Sequence, residues 1–303
     1  MKLLLKGKAA LKSERVAIGL PVFNGAQTLA RSLDSLISQK YENFQVIVLD
    51  NESDDESTLI ANHYADIDKR VRSMSLERVD AANNFSRVFE LCDSSMFMWA
   101  ADDDSWDDNF LQAGVEQLRE KTDYFSSNWW VGDIASSKGH ATPEHPLGFL
   151  GGVSKSARTL NFANLHHSSH KCNLIYALYR VDFLRQILAR QSIANDGVFT
   201  NLVASEGQGS FTNDVLFKKQ FISGFSSRVM NTSKIPQGLR DALNTKILSR
   251  SEASRSFGVQ KEASLELLLG FYPELESELR RIFSEYSLFA EEPFIIDKGL
   301  WLS

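Results

Sequence analysis

Asp102, Asp103 and Asp104 run together directly after the apolar stretch Met96-Phe97-Met98-Trp99-Ala100. If the chain stays extended past Ala100, alternate residues point the same way, so Asp102 and Asp104 face one cleft while Asp103 turns aside. Two carboxylates so placed suit a hard divalent cation, Mg²⁺ or Mn²⁺, which takes oxygen ligands. Such an ion bridges a diphosphate and neutralises the charge that develops on it as a leaving group. The competing account is a solvated turn or helix cap, the reading that suits Asp107-Asp108 nearby. A further carboxylate, Asp50, closes a second apolar run, Phe44 to Leu49.

Both positions gain meaning from the elements around them. Val16 to Leu20 reads as a buried strand stopped by Pro21 and the Asn24-Gly25 turn pair. Ala26, Leu29, Ala30, Leu33, Leu36 and Ile37 recur at helical spacing, the pattern of a helix laying one face on a sheet. Phe44 to Leu49 is a second strand, Ser57 to Tyr64 a helix, Val71 to Leu76 a strand, Phe85 to Leu91 a helix and Met96 to Ala100 a strand. This alternation predicts an α/β fold with a mostly parallel sheet flanked by helices. Ligands of such sheets sit at the carboxyl ends of the strands, where both Asp50 and the acidic run fall. Further on, Tyr124 to Ile134 and Phe211 to Phe217 read as strands, Val181 to Ala189 and Gly197 to Ser205 as helices, and residues 137–156 as a long loop rich in Gly, Pro, Ser and His. From about Pro236 to Tyr286 the pattern is helical, a C-terminal appendage. The expected division is a catalytic domain over 1–230 and a helical region over 231–303.

Composition narrows the function. A net charge of -6, with no basic stripe, argues against a nucleic acid as partner, since phosphate contacts dominate that affinity. The two cysteines, Cys92 and Cys172, stand at no motif spacing and read as buried free thiols. The amino terminus has only three consecutive Leu after a basic start, too few for a signal peptide, and no apolar stretch reaches membrane-span length. A cytoplasmic protein, at most peripheral to the inner face of the membrane, is expected. No Gly-Lys-Ser/Thr phosphate loop is present, and Gly148 to Gly152 lacks the order of a dinucleotide loop.

Four segments in order then resemble the family 2 glycosyltransferases of GT-A fold. Pro21-Val22-Phe23-Asn24-Gly25 resembles their strand-to-loop opening, and Ser35 to Tyr41 the end of their first helix. Phe44 to Asp55 resembles the strand and aspartate-rich turn that hold the nucleotide. Asn83-Asn84-Phe85, followed by Phe97 to Asp104, resembles the approach to their Asp-x-Asp motif. The resemblance covers roughly residues 15–112 and implies a GT-A, Rossmann-like sheet. It also implies roles. Pro21, Val22, Phe23 and Asn24 wall the base of a nucleotide-sugar, and Asp50 contacts the base or ribose. Asn84 and Arg87 touch the nucleotide-sugar, Asp102 lies near ribose or metal, and Asp103 contributes chiefly by charge. Asp104 is the direct ligand of Mn²⁺ or Mg²⁺, with Asp102 second.

Beyond residue 112 the resemblance thins. Ile175 to Arg180 is similar to a segment under the acceptor site, and Asn195-Asp196 before a helix is similar to the block carrying the base of inverting members. There a carboxylate takes the proton of the acceptor hydroxyl. Asp196 equally suits a helix N-cap; Glu206 and Asp214 are the fallback bases. His166, His167 and His170 either line the acceptor pocket or pack on the surface, and one of Trp129-Trp130 is available to stack on a sugar. The implied activity is transfer of a hexose from a UDP- or dTDP-sugar to a glycan or lipid-linked acceptor, as in bacterial surface-polysaccharide synthesis. The alternative is a catalytically inactive nucleotide-sugar-binding or scaffolding protein of the same fold, which would lack the base.

Overall fold

The computed structural model describes residues 14–118, 122–134, 137–164, 173–220 and 264–285. His166, His167, His170, Cys172 and most of the helical C-terminal region lie outside these.

Strand β1 (Val16–Val22) and strand β2 (Phe44–Asp50) are buried at every residue, as strands covered by helices on both faces must be. β3 (Val71–Ser75) pairs parallel with β2, and β4 (Met96–Trp99) parallel with β1. Between them run α1 (Leu29–Ile37), α2 (Ser57–Ile67) and α3 (Ala81–Glu90). α1 buries Leu29, Leu33 and Leu36 at three- and four-residue spacing. α3 starts where Asp80 caps it, its carboxylate accepting from Asn83 N at 2.8 Å. The expected parallel unit is therefore present.

The sheet then continues in ways that local pattern does not announce. β5 (Ser105–Trp106), β6 (Tyr124–Asp133), β7 (Lys138–Ala141), β8 (Leu178–Arg180) and β9 (Gly209–Gln220) complete a nine-stranded sheet among the described residues. Its order is β3-β2-β1-β4-β8-β6-β9-β5, with β7 alongside β6. β8 runs antiparallel to both β4 and β6, so β6 has the direction of β4, and β9 is parallel to β6. The carboxyl ends of β1, β2, β4, β6 and β9 consequently share one edge. α4 (Phe110–Leu118), α5 (Lys155–Asn164), α6 (Val181–Leu188) and α7 (Asp196–Glu206) cover the faces. Trp99 is the hub of the core, ringed by Phe89, Phe97, Tyr179 and Phe199.

Residues 137–156, expected to be a long loop, contain β7 and a 3₁₀ turn at Gly148–Leu150, and α5 begins at Lys155. β7 exists because β6 offers a partner; Lys-Gly-His-Ala has no strand pattern of its own. Gly139 is needed there, since a Cβ would stand 2.3 Å from the Trp130 ring. Of the tryptophan pair, Trp129 is core and Trp130 lies over this strand. In the C-terminal region, Leu268 of a helix α8 over 264–271, Tyr272 just after it, and Leu279 and Ile282 of α9 (Glu276–Glu285) are buried in the same core cluster, with α9 against α5. Cys92 is a buried free thiol whose pKa burial raises. No helix among the described residues is long and apolar enough to cross a membrane.

His145, in the same segment as β7, is buried between Trp129 and Phe211 with ring centroids at 5.1 and 5.0 Å. Leu147 N donates to its Nδ1 at 3.0 Å, which leaves the proton on Nε2 to be donated to Ser126 Oγ at 3.1 Å. Burial drives its pKa down to about 4. The folded value is below the unfolded one of about 6.5, so the neutral ring's contribution is complete above that pH and lost as pH falls towards 4. The full loss is roughly 3 kcal/mol. Urea titrations should show His145→Gln less stable than wild type at pH 7 but with a visibly flatter decline between pH 7 and 4. Parallel declines would refute this assignment.

Candidate active site

The loop after β1 is held against the loop after β2 at the shared carboxyl edge. Val22 pairs with Asp50 across the two strands, and Asn51 N donates to Val22 O at 2.8 Å. Asn24 takes a left-handed backbone (φ 53), donates its N–H to Ser53 Oγ at 2.9 Å and accepts from Asp54 N at 2.8 Å. Phe23 is 41% exposed, with the Arg78 guanidinium 4.4 Å above its ring. Arg78 also bonds Glu52 O and Asp54 Oδ2. Asp50 is buried. Its Oδ2 accepts from Ser53 N, Thr58 Oγ1 and Ser75 Oγ at 3.2, 3.0 and 3.0 Å, while its buried Oδ1 has no donor. Asn84, on α3, donates to Leu49 O at 3.4 Å and likewise keeps a buried Oδ1 without a donor. Native interiors rarely leave such acceptors unmatched. Arg87, one turn further along α3, donates to Glu77 O at 2.7 Å.

β4 ends at Trp99, and Asp102 and Asp103 form a turn. The alternation of an extended strand therefore does not apply to the acidic run. Asp102 instead lies against the β1 loop: a Cβ on Gly25 would come within 1.9 Å of Asp102 Oδ2, so glycine is what admits this carboxylate. Asp104 is 2% exposed and accepts from Gln220 N, at the end of β9, at 2.8 Å. Burial, then the Asp103 charge, push its pKa well above the usual carboxylate range, against the opposing pull of Lys219.

Several supports of this turn carry little sequence signal. Arg31 of α1 donates to Asp103 O at 2.8 Å, and Ser32 Oγ to Ala101 O at 2.8 Å. Gln220 reaches Asp133 Oδ1 at 3.2 Å, and Lys219 reaches Asn173 Oδ1 at 3.3 Å. Strand parity points to Lys219: Phe217 is buried and Lys218 exposed, so Lys219 returns to the inner face.

Asp196 is the first residue of α7 and half-buried. The cap itself is Asn195, whose side chain accepts from Val198 N at 3.1 Å, so capping is not what Asp196 supplies. Its helix packs Phe199 on Trp99, the last residue of β4. Glu206 lies at the opposite end of α7 and accepts from Lys155, Arg190 and Tyr272, which commits it to structure. Asp214 is exposed and accepts from Thr212 Oγ1 at 3.1 Å. A cavity of about 260 Å³ lined by Asp123, Asp182, Arg190 and Glu206 opens beside the start of β6, at the other edge of the sheet.

This fold is that of the GT-A glycosyltransferases. The structure of S. aureus TarS 1-349 is similar over 90% of this chain and 89% of that one, with a TM-score of 0.56 at 14% identity. The same protein in complex with UDP-GlcNAc gives 0.54 at 13% identity, again over 90% and 89%. The model of Glycosyl transferase family 2 matches residues 17–188, more than half of the 303, and the chain belongs to this family. Glycosyltransferase GlyA of Streptococcus pneumoniae serotype 4 is 28% identical over 127 residues, 42% of this chain and 18% of GlyA. The uncharacterized glycosyltransferase RP339 of Rickettsia prowazekii is 26% identical over 113 residues, 37% of this chain and 35% of that protein. The chain thus matches only about a fifth to a third of the length of these curated relatives.

Proposed function

We propose that the chain is an inverting, metal-dependent glycosyltransferase that moves a hexose from a UDP- or dTDP-sugar to a glycan or lipid-linked acceptor. The observation that carries this reading is the convergence at one sheet edge of two donor-less buried acceptors, Asp50 Oδ1 and Asn84 Oδ1, with the acidic turn 102–104. The acceptors suit the N–H and O–H groups of a base and ribose, with Pro21 to Asn24 as the wall and Arg87 on the same helix face as Asn84. TarS, crystallised with UDP-GlcNAc and with UDP, supports a nucleotide-sugar as donor.

The acidic turn suits Mg²⁺ or Mn²⁺. No cluster of three His, Cys, Asp or Glu side chains converges among the described residues. Such ions take one or two carboxylates and complete their shell with substrate phosphates and water, so Asp104 and Asp102 suffice as protein ligands. Burying Asp104 beside Asp103 and Asp102 is costly by itself and is offset by a cation. When bound, the ion supplies neutralisation of the departing nucleoside diphosphate. Asp196 takes the proton of the acceptor hydroxyl as its oxygen attacks the anomeric carbon and the bond to the diphosphate oxygen breaks. The cellular setting proposed is surface-polysaccharide assembly in the cytoplasm, peripheral to the membrane, by analogy with the family.

Thermal melts with UDP-glucose, UDP-N-acetylglucosamine and dTDP-glucose, with and without Mn²⁺, test the reading. A true donor at one hundred times its Kd stabilises by about 2.7 kcal/mol, a melting shift of roughly 5–10 °C, and requires Mn²⁺ to do so. No shift with any of the three would overturn the donor class; equal shifts without metal would overturn the ion.

A further inference from the structure

Helix α7 is secured at both ends by groups that the proposed chemistry does not use. Its residues from Val198 to Ser205 are all buried, so it has little freedom sideways. At its carboxyl end Arg158 of α5, 3% exposed, donates Nε to Ala204 O at 3.0 Å and Nη2 to Ser205 O at 2.8 Å. This guanidinium has carbonyls for partners, on the negative end of the helix, and a third bond at 2.7 Å to Val153 O fixes it further. One residue on, Glu206 accepts from Lys155 Nζ and Arg190 Nη1, both at 2.8 Å, and from Tyr272 OH at 3.1 Å. Tyr272 is 1% exposed and belongs to the C-terminal helical segment. The cations that grip Glu206 also sit on that segment's rings, Lys155 at 5.3 Å from Tyr272 and Arg190 at 4.9 Å from Phe271. At the amino end of α7, Asn195, the cap beside Asp196, donates Nδ2 to Ser264 Oγ at 3.5 Å. The same segment, 264–285, therefore touches both ends of the helix that carries Asp196.

We infer that this C-terminal segment is a positioning element for Asp196, acting through Tyr272 on Glu206 and through Ser264 on Asn195. The inference rests on the reading of Asp196 as the base. A slip of one residue along α7 moves Asp196 by about 1.5 Å and swings it through roughly 100°. A misplacement of that size is worth orders of magnitude in rate. The donor side is held independently: Asp50 and the acidic turn are anchored on the loops after β1 and β2 and on the end of β9. Loosening the clamp should therefore separate chemistry from donor binding.

The test uses the full chain and, as probe, hydrolysis by water of whichever of the three nucleotide-sugars stabilises it most. Tyr272→Phe removes one hydroxyl and keeps the ring; Glu206→Gln is the second variant. Each should lower the hydrolysis rate roughly tenfold, measured well below the melting temperature, and leave the nucleotide Kd unchanged. Hydrogen exchange across residues 197–206 should quicken by a similar factor. In an Asp196→Asn background, Tyr272→Phe should cost nothing further, because there is no base left to place. A lower melting temperature with an unchanged rate would make the segment a plain buttress and overturn the inference. So would the same tenfold loss in the Asp196→Asn background. A wild-type rate for Asp196→Asn alone would instead remove the base reading, a failure visible before any clamp variant is measured.

Discussion

Asp104→Asn is expected to melt higher than the wild-type protein and to lose metal-dependent nucleotide binding altogether. The two effects have one origin. Asp104 is 2% exposed, and Asp103 and Asp102 are the like charges that raise its pKa alongside burial. Asparagine keeps the shape and still accepts from Gln220 N through its amide oxygen, so the turn stays anchored. It removes a charge that burial and two neighbours disfavour, a relief of roughly 1 kcal/mol or about 2–4 °C in melting temperature. The neutral amide is a poor ligand for a hard divalent ion, so stabilisation by nucleotide plus Mn²⁺ should vanish. Asp104→Ala should lose the same binding without the gain, because Gln220 N is left without its acceptor. Calorimetric melts with and without UDP and Mn²⁺ decide the matter. Retained metal-dependent binding in Asp104→Asn would move the ligand role elsewhere.

The second large effect concerns Asp196. Its substitution by Asn should lower donor turnover by a factor on the order of 10²–10⁴, the usual worth of a positioned general base. Nucleotide affinity should stay within about twofold, because Asp50, Asn84 and the acidic turn are untouched. Stability should change little, since the capping of α7 is done by Asn195. This separates two accounts of one residue. A helix-terminal structural carboxylate would show up as a fall in melting temperature with full turnover, whereas a base gives the reverse. Isothermal titration with UDP and Mn²⁺, beside turnover of the preferred donor, distinguishes them.

What could be read without a structure divides along the sheet. The β1 to β4 half was legible because each element carries its own evidence: unbroken apolar strands, an apolar helix stripe, and carboxylates where strands stop. β5, β7 and β8 span two to four residues and owe their existence to partners far along the chain. α5 was hidden for a different reason. Half of its buried face is Arg158 and Thr159, so the apolar period that marks a helix is broken by a guanidinium that is buried to bond carbonyls. The site divides similarly. Asp50 and the acidic run stood out by position, and Asp196 by its place before a helix, with the cap one residue earlier than a single Asp would suggest. Arg31 and Gln220 did not stand out, since what their side chains hold is largely backbone: Arg31 donates to Asp103 O, and Gln220 Oε1 accepts from Ile134 N just past β6.

The bond from Gln220 N to Asp104 spans 116 residues of chain. Closing a loop of that length costs on the order of 4 kcal/mol in chain entropy, while one charge-assisted hydrogen bond returns roughly 1.5–3 kcal/mol. The acidic turn cannot hold this contact on its own account. Its order is borrowed from the long pairing of β9 with β6, which brings Gln220 to the edge before the turn is asked to meet it. Side chains that stitch that pairing, such as Trp129 and Phe217, thereby help to shape the proposed cation site from a distance along the chain.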